Sequence, residues 1–323
     1  MASFEEIRQR IEAYPVLLIG GHGYPDGDCY GCQVGLRELL KAAYPKKKVY
    51  AVGSGVPVLN ALLSPMDQPS EEEARDALGI LVDVSCLPRV ESPLLSLCKE
   101  HVKFDHHEPN KQGEYFEGVS CVDPERVSCA EIVTEFGIAM GYSFSSLSAS
   151  ALYAGILTDS GRFMYHGVCR KTFDDVGFLF RHGIDAKTLI ETLYHEEPNE
   201  KAFKKWMRDN AQKHGQVCHV YTHPSDYASF GLSFEKASSF VNALAGKFKA
   251  KIYVYFAERE DGWVRVEYRS NLGYPVVDVA KRFGGGGHRY AAGSEIVNGQ
   301  PAIHDILMAL DEVEGDYPCT KKN

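Results

Sequence analysis

The stretch GHGYPDGDCYGC, residues 21–32, decides the fold class of this chain. It follows the apolar run PVLLIGG at 15–21 and leads into a helical pattern that extends from Asp28 to Ala43. A short apolar run that passes through a Gly/Asp turn into a helix is typical of a buried strand in an α/β domain. Residues 15–43 therefore predict the first strand and the first helix of such a domain.

The same alternation continues over the first 190 residues. Further strands are expected at 48–52, 79–84 and 101–105, and further helices at 128–140, 147–157 and 173–182. Near-continuous apolar strands such as GILVDV indicate a sheet that is buried on both faces. The N-terminal part is therefore predicted to be a doubly wound α/β domain with a mostly parallel sheet.

The pattern changes after residue 184. A charged, helix-like connector with a break at Pro198 is expected over 185–210. Beyond it, the runs HGQVCHVYTH, AKIYVYFAERE and GWVRVEYRS predict strands, and SFEKASSFVNALAG and PAIHDILMALDEV predict helices. We expect a catalytic domain at 1–184, the connector at 185–210, a smaller α+β domain at 211–323, and an active-site cleft between the domains.

The composition is that of an ordinary soluble globular protein, with 323 residues, 44% hydrophobic and 24% charged. The net charge is -9, with an acidic excess in the first 200 residues and a slight basic excess afterwards. No segment has the apolar length of a membrane helix or of a signal-peptide core. The nine cysteines are scattered and odd in number, which favours reduced thiols and a cytoplasmic protein.

Acidic and histidine residues follow several of the predicted elements. They are His22, Asp26 and Asp28 after the first strand, Asp83 at the end of GILVDV, Asp105, His106 and His107 at the end of HVKFDHH, and Asp159 after a helix. Each residue alone is more often a helix cap or a turn residue. Together they are predicted to meet at the carboxyl edge of one sheet, where open α/β sheets bind their ligands.

These residue types suit hard or borderline divalent cations such as Mn²⁺ and Mg²⁺. Two such ions can clamp a phosphate and activate a water. His106 and His107 are adjacent, and in extended chain their side chains are expected to point to opposite sides, one towards a metal and one towards a substrate.

Four motifs in this order, HGYPDGD, VDVS, FDHH and TDSGRF, resemble the motifs of the DHH phosphoesterase family. The resemblance implies two divalent ions, most often Mn²⁺, with Mg²⁺ as the alternative. It implies His22 and Asp26 on one ion, Asp28, His106 and Asp159 on the other, and Asp83 bridging both. His107 would contact the scissile phosphate or the leaving group, and Asp105 would support its neighbours.

The cysteines of the opening stretch pose a separate question, because Cys29 and Cys32 have the CxxC spacing of a zinc or redox motif. No second cysteine pair at zinc spacing accompanies them. We therefore interpret them as small residues on the helix behind the metal ligands, which places two thiols beside the site.

The C-terminal part contains the glycine run FGGGGHRYAAG at 283–293. Alone, such a run is more often a flexible turn than an anion-binding nest. With the upstream YRSNLGYPVVDVAKR, however, it resembles the DHH-associated C-terminal domain. That resemblance implies substrate contacts, which we assign as follows: Arg269, Ser270, Gly284, Gly285, Gly286, Gly287 and His288.

The two resemblances together favour a phosphoesterase that hydrolyses very short RNA (nano-RNA) and adenosine 3',5'-bisphosphate (pAp). Three alternatives stay open: a phosphodiesterase for cyclic di-AMP or pApA, a phosphatase or pyrophosphatase for small molecules, and a nucleotide-binding sensor without turnover. Neither a membrane nor long duplex nucleic acid is expected as a partner, because the chain shows no basic stripe. A homodimer is compatible with the sequence.

Overall fold

The described part of the chain folds around two separate β-sheets. A computed structural model describes residues 4–23, 25–107, 118–165, 167–270, 273–297 and 300–315. The chain divides into two units, Met1–His195 and Glu196–Asn323, and each unit contains one of the sheets.

The first unit alternates strands and helices. Its elements are α1 (Phe4–Ala13), β1 (Val16–Gly20), α2 (Gly27–Ala43), β2 (Lys48–Ala51), α3 (Pro57–Leu62), α4 (Glu71–Arg75), β3 (Ala77–Val82), β4 (Glu100–Asp105), β5 (Val119–Val122), α5 (Cys129–Ala139), α6 (Ser146–Asp159), α7 (Arg170–Phe180) and α8 (Ala186–Leu193). Two short 3₁₀ helices, Leu87–Arg89 and Pro93–Leu97, lie between β3 and β4. The short elements β5, α3 and α4 were not expected from the sequence.

The five strands of this unit form one parallel sheet in the order β2-β1-β3-β4-β5. The predicted α/β fold with a parallel N-terminal sheet is therefore confirmed. Strands β1, β3 and β4 are neighbours, and their carboxyl ends are aligned: Gly20 pairs with Leu81, and Val82 pairs with Phe104. This alignment brings the segments that follow the three strands to one edge of the sheet.

Both faces of the sheet are covered, as a doubly wound fold requires. Along β1, Leu17 and Ile19 pack into the larger core with α2, α5 and α6. The alternate residues Val16 and Leu18 pack on the opposite face against α4 and the 3₁₀ helices. Successive side chains of a strand point to opposite faces, so a continuous apolar strand fits a sheet that is buried on both sides.

The second unit is a mixed α+β structure. Its elements are α9 (Pro198–Asn210), β6 (Gln212–His214), β7 (Val217–Thr222), α10 (Pro224–Ala228), α11 (Phe234–Ser238), β8 (Ile252–Glu258), β9 (Trp263–Ser270), α12 (Val277–Arg282), β10 (Gly286–His288), β11 (Ala291–Val297) and α13 (Gln300–Asp311). The sheet order is β10-β11-β9-β8-β7-β6. Only the β7–β8 pair in this described sheet is parallel.

One sequence prediction for this unit was wrong in detail. The single helix expected in SFEKASSFVNALAG is short α11 followed by a 3₁₀ helix, Ser239–Leu244, because the backbone of Phe240 leaves helical geometry. The glycine run contains a short strand: Gly286–His288 forms β10 and pairs with β11.

The predicted connector consists of two helices that belong to different units. Helix α8 lies in the first unit, and α9 packs Phe203 and Met207 into a core of the second unit. The chain passes from one unit to the other at residues 194–197.

No helix within the described residues combines the length and the apolar character that crossing a membrane requires.

Candidate metal centre and catalytic site

The three aligned strands of the first unit deliver most of the predicted site residues to one place. His22, Asp26 and Asp28 follow β1, Asp83 follows β3, and Asp105 ends β4 immediately before His106 and His107; Asp159 is the last residue of α6. Distances of 3.9 Å or less between side-chain nitrogens and oxygens link all eight residues into one cluster.

Asp83 lies at the centre of this cluster. Its Oδ2 is 3.5 Å from Nε2 of His22, and its Oδ1 is 3.4 Å from Nε2 of His106. The backbone of Asp83 has a φ of 52°, in the left-handed region that residues other than glycine seldom occupy. Backbone strain of this kind accumulates at functional sites. Here it accompanies a sharp turn at the end of β3 that places the carboxylate between two histidines.

His106 is held so that one ring nitrogen faces the carboxylates. Its Nδ1–H donates to the backbone carbonyl of Arg126 at 3.2 Å, and a carbonyl can only accept. In the neutral imidazole, Nε2 then carries the lone pair that a metal ligand needs. It lies 3.2 Å from Oδ2 of Asp159 and 3.9 Å from Oδ2 of Asp28. Sequence reasoning had not identified the Arg126 carbonyl as the group that orients His106.

His22 repeats this arrangement on the other side of Asp83. Its Nδ1–H donates to the carbonyl of Gly23 at 3.0 Å, which turns Nε2 towards the carboxylates. The loop itself is held by the segment after β3: Gly23 donates to the carbonyl of Arg89, and Glu91 donates to that of Gly21. Burial lowers the pKa of His22, but Asp83 and Asp26 outweigh burial and raise that pKa to about 9.

Asp28 is completely buried and is anchored by the start of α5. Its Oδ2 accepts the N–H of Cys129 at 2.7 Å, and its Oδ1 accepts that of Ala130 at 2.9 Å. The free N–H groups of a helix N-terminus favour a negative charge. These two bonds fix the carboxylate beside His106, and no sequence pattern indicated them.

Asp26 has a structural function that the structure makes explicit. It is the N-cap of α2, and its Oδ1 accepts the N–H groups of Asp28 and Cys29, both at 3.0 Å. The same oxygen lies 3.9 Å from Nε2 of His22, and the side chain is 57% exposed. Asp26 thus starts the helix and also lies next to the first histidine.

His106 and His107 do not point to opposite sides, so that expectation was wrong. Their rings are 4.9 Å apart, and both face the same oxygen of Asp83, at 3.4 Å from Nε2 of His106 and 3.6 Å from Nδ1 of His107. The chain has left β4 at these positions, and the alternation of an extended strand no longer applies.

His107 and Asp105 form a separate pair at the edge of the cluster. Nδ1 of His107 lies 2.7 Å from Oδ1 of Asp105, and Oδ2 of Asp105 accepts from Nζ of buried Lys103 at 3.0 Å. Burial opposes ionisation of Asp105, but the bond from His107 and the charge of Lys103 lower its pKa overall. Asp105 therefore positions His107, and Lys103 is a supporting residue that sequence reasoning missed.

The carboxylates of the cluster repel one another in a buried space. Burial, together with the charges of Asp83 and Asp159, raises the pKa of Asp28 well above its usual range. Burial also raises the pKa of Asp159 to about 8, with the nearby charge of His106 opposing it. Burial opposes ionisation of Asp83, but the neighbouring imidazoles of His106 and His22 outweigh burial and lower its pKa. A cation bound among these groups would relieve their repulsion.

The donor set fits divalent metal ions. Three groups of side chains have ligand atoms that all lie within 4.8 Å of one another: His22, Cys29 and Asp83; Asp83, His106 and His107; and Asp28, His106 and Asp159. Oδ1 of Asp83 is buried and has no hydrogen-bond partner among the described residues. An unpartnered buried carboxylate oxygen that faces two imidazoles is the environment that a cation would satisfy.

Cys29 was expected to be only a small residue behind the site. In the structure it is fully buried in the first turn of α2, and its Sγ belongs to the group with His22 and Asp83. Burial, followed by the charges of Asp83 and Asp26, raises the pKa of the thiol well above its usual value. Cys32 belongs to none of the three groups and directs its thiol to Oδ1 of Asp28 at 3.6 Å.

The predicted substrate residues all lie in the second unit. Arg269, in β9, donates from its guanidinium to Glu267 and to the carbonyl of Tyr268. Ser270 accepts the N–H of Tyr274 on its hydroxyl. Residues 284–287 run into β10, with Gly284 and Gly287 at φ values of 76° and 134°. His288 has its backbone in β10, while its side chain lies outside the described part of the structure.

Comparison with known proteins gives the same division of the chain. The family model described as "DHH family, N-terminal domain" matches residues 16–156, and the model described as "DHHA1 domain" matches residues 214–315. A protein of Mycoplasma genitalium named bifunctional oligoribonuclease and PAP phosphatase NrnA is 30% identical over 309 residues, which cover 94% of this chain and 96% of the relative.

Two further matches differ in kind. The cyclic-di-AMP phosphodiesterase GdpP of Geobacillus thermodenitrificans is 27% identical over 337 residues, and the match covers 96% of this chain but only 49% of that protein. The crystal structure of an exopolyphosphatase-related protein from Bacteroides fragilis superimposes with a TM-score of 0.84 at 20% identity, covering 96% of this chain and 95% of the other. The crystal structure supports the fold over almost the whole chain.

Proposed function

The chain belongs to the DHH family of phosphoesterases, and on that premise we propose that it hydrolyses short oligoribonucleotides and pAp with the help of two divalent metal ions. Asp83 is the observation that carries this proposal. Each of its oxygens faces a different histidine, His22 on one side and His106 on the other, so one carboxylate can serve two cations.

The ligands divide into two sets around Asp83. We assign His22 and Asp26 to the first ion and Asp28, His106 and Asp159 to the second, with Asp83 shared. Bound divalent ions would polarise the phosphoryl oxygens and lower the pKa of a water molecule. We propose Mn²⁺ for this function, because two histidine nitrogens among the carboxylates favour a borderline ion over Mg²⁺.

The residues of this chain orient the reaction. The carbonyls of Arg126 and Gly23 fix the tautomers of His106 and His22, and the start of α5 fixes Asp28. Asp105 holds the ring of His107, which we assign to the scissile phosphate or to the leaving group. Such fixed groups stabilise developing charge without reorganisation during the reaction.

We propose that the second unit binds the nucleotide. Arg269 and the glycines at 284–287 combine a guanidinium with backbone N–H groups, which together suit a phosphate. The match of this unit to the DHHA1 domain supports the assignment. We further propose that the protein acts in the cytoplasm.

A substrate panel tests the proposal directly. Purified protein would be incubated with Mn²⁺, Mg²⁺ or EDTA and with pAp, linear and cyclic di-AMP, RNA oligomers from a dinucleotide upward, and pyrophosphate. We expect release of mononucleotides from the shortest RNAs and of phosphate from pAp, both abolished by EDTA. Turnover that does not depend on metal would refute the mechanism, and activity that rises with RNA length would indicate a long-strand exonuclease instead.

The GdpP relative supports a second candidate, a phosphodiesterase for cyclic di-AMP. In the same panel this candidate requires that cyclic di-AMP be cleaved faster than any RNA dinucleotide. The chain corresponds to about half of that relative, whereas it matches the NrnA relative almost from end to end, which favours the short-RNA substrate.

A further inference from the structure

The peptide that joins Arg126 to Val127 is hydrogen-bonded at both ends. Its carbonyl oxygen, on Arg126, accepts from Nδ1 of His106 at 3.2 Å. Its N–H, on Val127, donates to Oε2 of Glu131 at 3.0 Å. A peptide unit is planar and trans, so its C=O and N–H point in opposite directions and can only turn together. The position of Glu131 therefore sets the direction of the carbonyl that orients His106.

Glu131 is a buried carboxylate that helix capping does not explain. It is the third residue of α5 and is 1% exposed. In a capping box the third residue accepts the N–H of the N-cap, here Ser128, whereas Glu131 accepts the preceding N–H, that of Val127. Its other oxygen, Oε1, is buried without a hydrogen-bond partner among the described residues. Burial of such an oxygen opposes folding, which points to a function other than stability.

The charge of Glu131 acts on His106 through this peptide. A carboxylate at the N–H end polarises the peptide and makes its carbonyl a stronger acceptor, because hydrogen bonds in a chain strengthen one another. A stronger acceptor at Nδ1–H makes Nε2 a more basic metal ligand. Arg126 does not cancel this charge: its guanidinium lies 3.9 Å from Oε2 of Glu131 and is shared with Glu135 and Asp175.

We propose that Glu131 is a positioning residue for the second metal ion and acts on His106 through the Arg126–Val127 peptide. Carboxylates that orient metal-bound histidines usually accept directly from the ring, whereas here one peptide lies between them. The first N–H groups of α5 also hold Asp28, so one helix start fixes two ligands of the same ion. The inference rests on the proposed function only in placing an ion at Nε2 of His106.

Metal binding tests the proposal without any need for turnover. Mn²⁺ is titrated by calorimetry into the full-length protein after metal has been removed with EDTA and the EDTA dialysed away. Glu131→Gln keeps the size of the side chain and removes its charge. We expect it to weaken one of the two ions by about tenfold or more and to leave the other unchanged. Unchanged affinity for both ions, or equal weakening of both, overturns the proposal.

Glu135→Gln is the matched control. Glu135 lies one turn further along α5 and pairs with the same guanidinium, but it makes no described bond to the Arg126–Val127 peptide. This variant should bind both ions as the wild type does, and the same loss in both variants would refute a specific effect of Glu131. Urea unfolding in EDTA should show that Glu131→Gln is no less stable than the wild type, whereas a purely structural residue would lower stability.

A double-mutant cycle tests the connection to His106. In a His106→Ala background, Glu131→Gln should weaken metal binding no further, because the imidazole through which it acts is absent. An equal loss in both backgrounds contradicts the proposal.

A measurement on the wild type keeps the test decisive if the variants do not fold. The NMR amide resonance of Val127 should move as diamagnetic Mg²⁺ fills the second position, and an unmoved resonance contradicts the inference. The proposed function fails differently: coupling of Glu131 to metal binding without hydrolysis in the substrate panel leaves this inference intact, and hydrolysis without that coupling leaves the proposed function intact.

Discussion

Asp83 combines two properties at the residue scale that single it out from the other carboxylates. It lies between His22 and His106, and its backbone occupies the left-handed region at a φ of 52°. Asparagine tolerates this conformation, whereas alanine in it costs about 1–2 kcal/mol. Asp83→Asn therefore removes the charge while keeping the backbone preference, which makes it a cleaner test than alanine.

We predict that Asp83→Asn lowers RNA dinucleotide hydrolysis by more than about 100-fold. The reason is that loss of a shared ligand weakens the binding of both ions, whereas loss of a supporting contact weakens the binding of one. Turnover with Mn²⁺ and the number of bound ions per chain are the measurements. Asp76→Asn, an exposed carboxylate paired with Lys99, is the control and should stay active. A folded Asp83→Asn protein with normal turnover would contradict the bridging assignment.

Arg126 is surrounded by more acids than it can neutralise. Asp123, Glu131, Glu135 and Asp175 all approach its guanidinium, and Oδ2 of Asp175, at 4.0 Å, has no hydrogen-bond partner among the described residues. Burial raises the pKa of Asp175 to about 7, although the charge of Arg126 opposes this. The folded state thus binds a proton that the unfolded chain releases near pH 4.

This difference in proton binding predicts a pH dependence of stability. Because the pKa of Asp175 is raised on folding, its contribution to stability is fully present below about pH 4 and declines as the pH rises towards 7, by at most about 1.4 kcal/mol per pH unit. Asp175→Asn should flatten the profile and be more stable than the wild type at pH 8. Urea unfolding in EDTA measures the pH profile, with exposed Asp76→Asn as the control. Parallel profiles for wild type and Asp175→Asn would disprove the prediction.

At the scale of elements, α2 and α6 approach each other through small residues. Gly27, Gly31 and Gly35 are spaced four apart along one face of α2, and α6 contributes Ala151 and Gly155. A side-chain carbon on Gly31 would lie 2.3 Å from the carbonyl oxygen of Ala151. This close packing supports the site, because Asp28 lies in the first turn of α2 and Asp159 is the last residue of α6.

We predict that Gly31→Ala destabilises the protein by about 1–3 kcal/mol, because a backbone atom of a buried helix cannot move aside cheaply. The matched control is Gly177→Ala on α7, where the added carbon meets nothing within 4 Å. That substitution should be neutral or stabilising by up to about 1 kcal/mol. Urea unfolding measures the free energy of unfolding of both variants. Equal values would show that α2 and α6 can move apart at little cost.

Two neighbouring glycines of the glycine run are expected to have different functions, one in packing and one in phosphate binding. A side-chain carbon on Gly285 would lie 2.0 Å from the carbonyl oxygen of Gly293, whereas one on Gly286 would meet nothing within 4 Å. We predict that Gly285→Ala destabilises the second unit. Gly286→Ala should fold normally but bind a dinucleotide about tenfold more weakly, a loss of about 1.4 kcal/mol, if phosphate approaches this backbone. Calorimetric binding and melting curves distinguish the effects; unchanged affinity in Gly286→Ala would remove this glycine from the proposed contacts.

At the scale of the whole molecule, each unit has its own apolar cores. A metal that binds only the folded first unit stabilises that unit alone, by about 2.7 kcal/mol at a hundredfold excess over the dissociation constant. We predict two thermal transitions, of which Mn²⁺ raises only the one assigned to the first unit. Scanning calorimetry with and without EDTA measures this, and Asp83→Asn should abolish the shift. A shift of both transitions would show that the metal response is not confined to the first unit.

Much of this organisation could be predicted from local sequence patterns. The run from Val16 through Asp28 showed a strand, a capped turn and a helix, because apolar periodicity and capping act over a few residues. The parallel sheet followed from the repetition of that pattern. The candidate ligand residues could be named because each stands close to the end of such a local element, where the motif of a known family places it.

Other features depended on contacts between distant segments. The bonds from the start of α5 to Asp28, and the carbonyl of Arg126 behind His106, join residues that are about 20 to 100 positions apart, and no local pattern reports them. The shared orientation of His106 and His107 arose because β4 ends just before them. Cys29 likewise lies close to Asp83 because the turn at Asp83, after β3, brings that carboxylate near the sulfur of Cys29.

The sequence by itself determined the types of candidate ligand, the alternation of the main strands and helices, and the family of this protein, because these depend on local patterns of near neighbours. The tertiary structure decided which oxygen and which nitrogen face the cluster, and that a thiol stands among them. Directions of side chains are set by the alignment of β1, β3 and β4 and by the packing of α2, α5 and α6 against them, and such packing is a property of the folded chain as a whole.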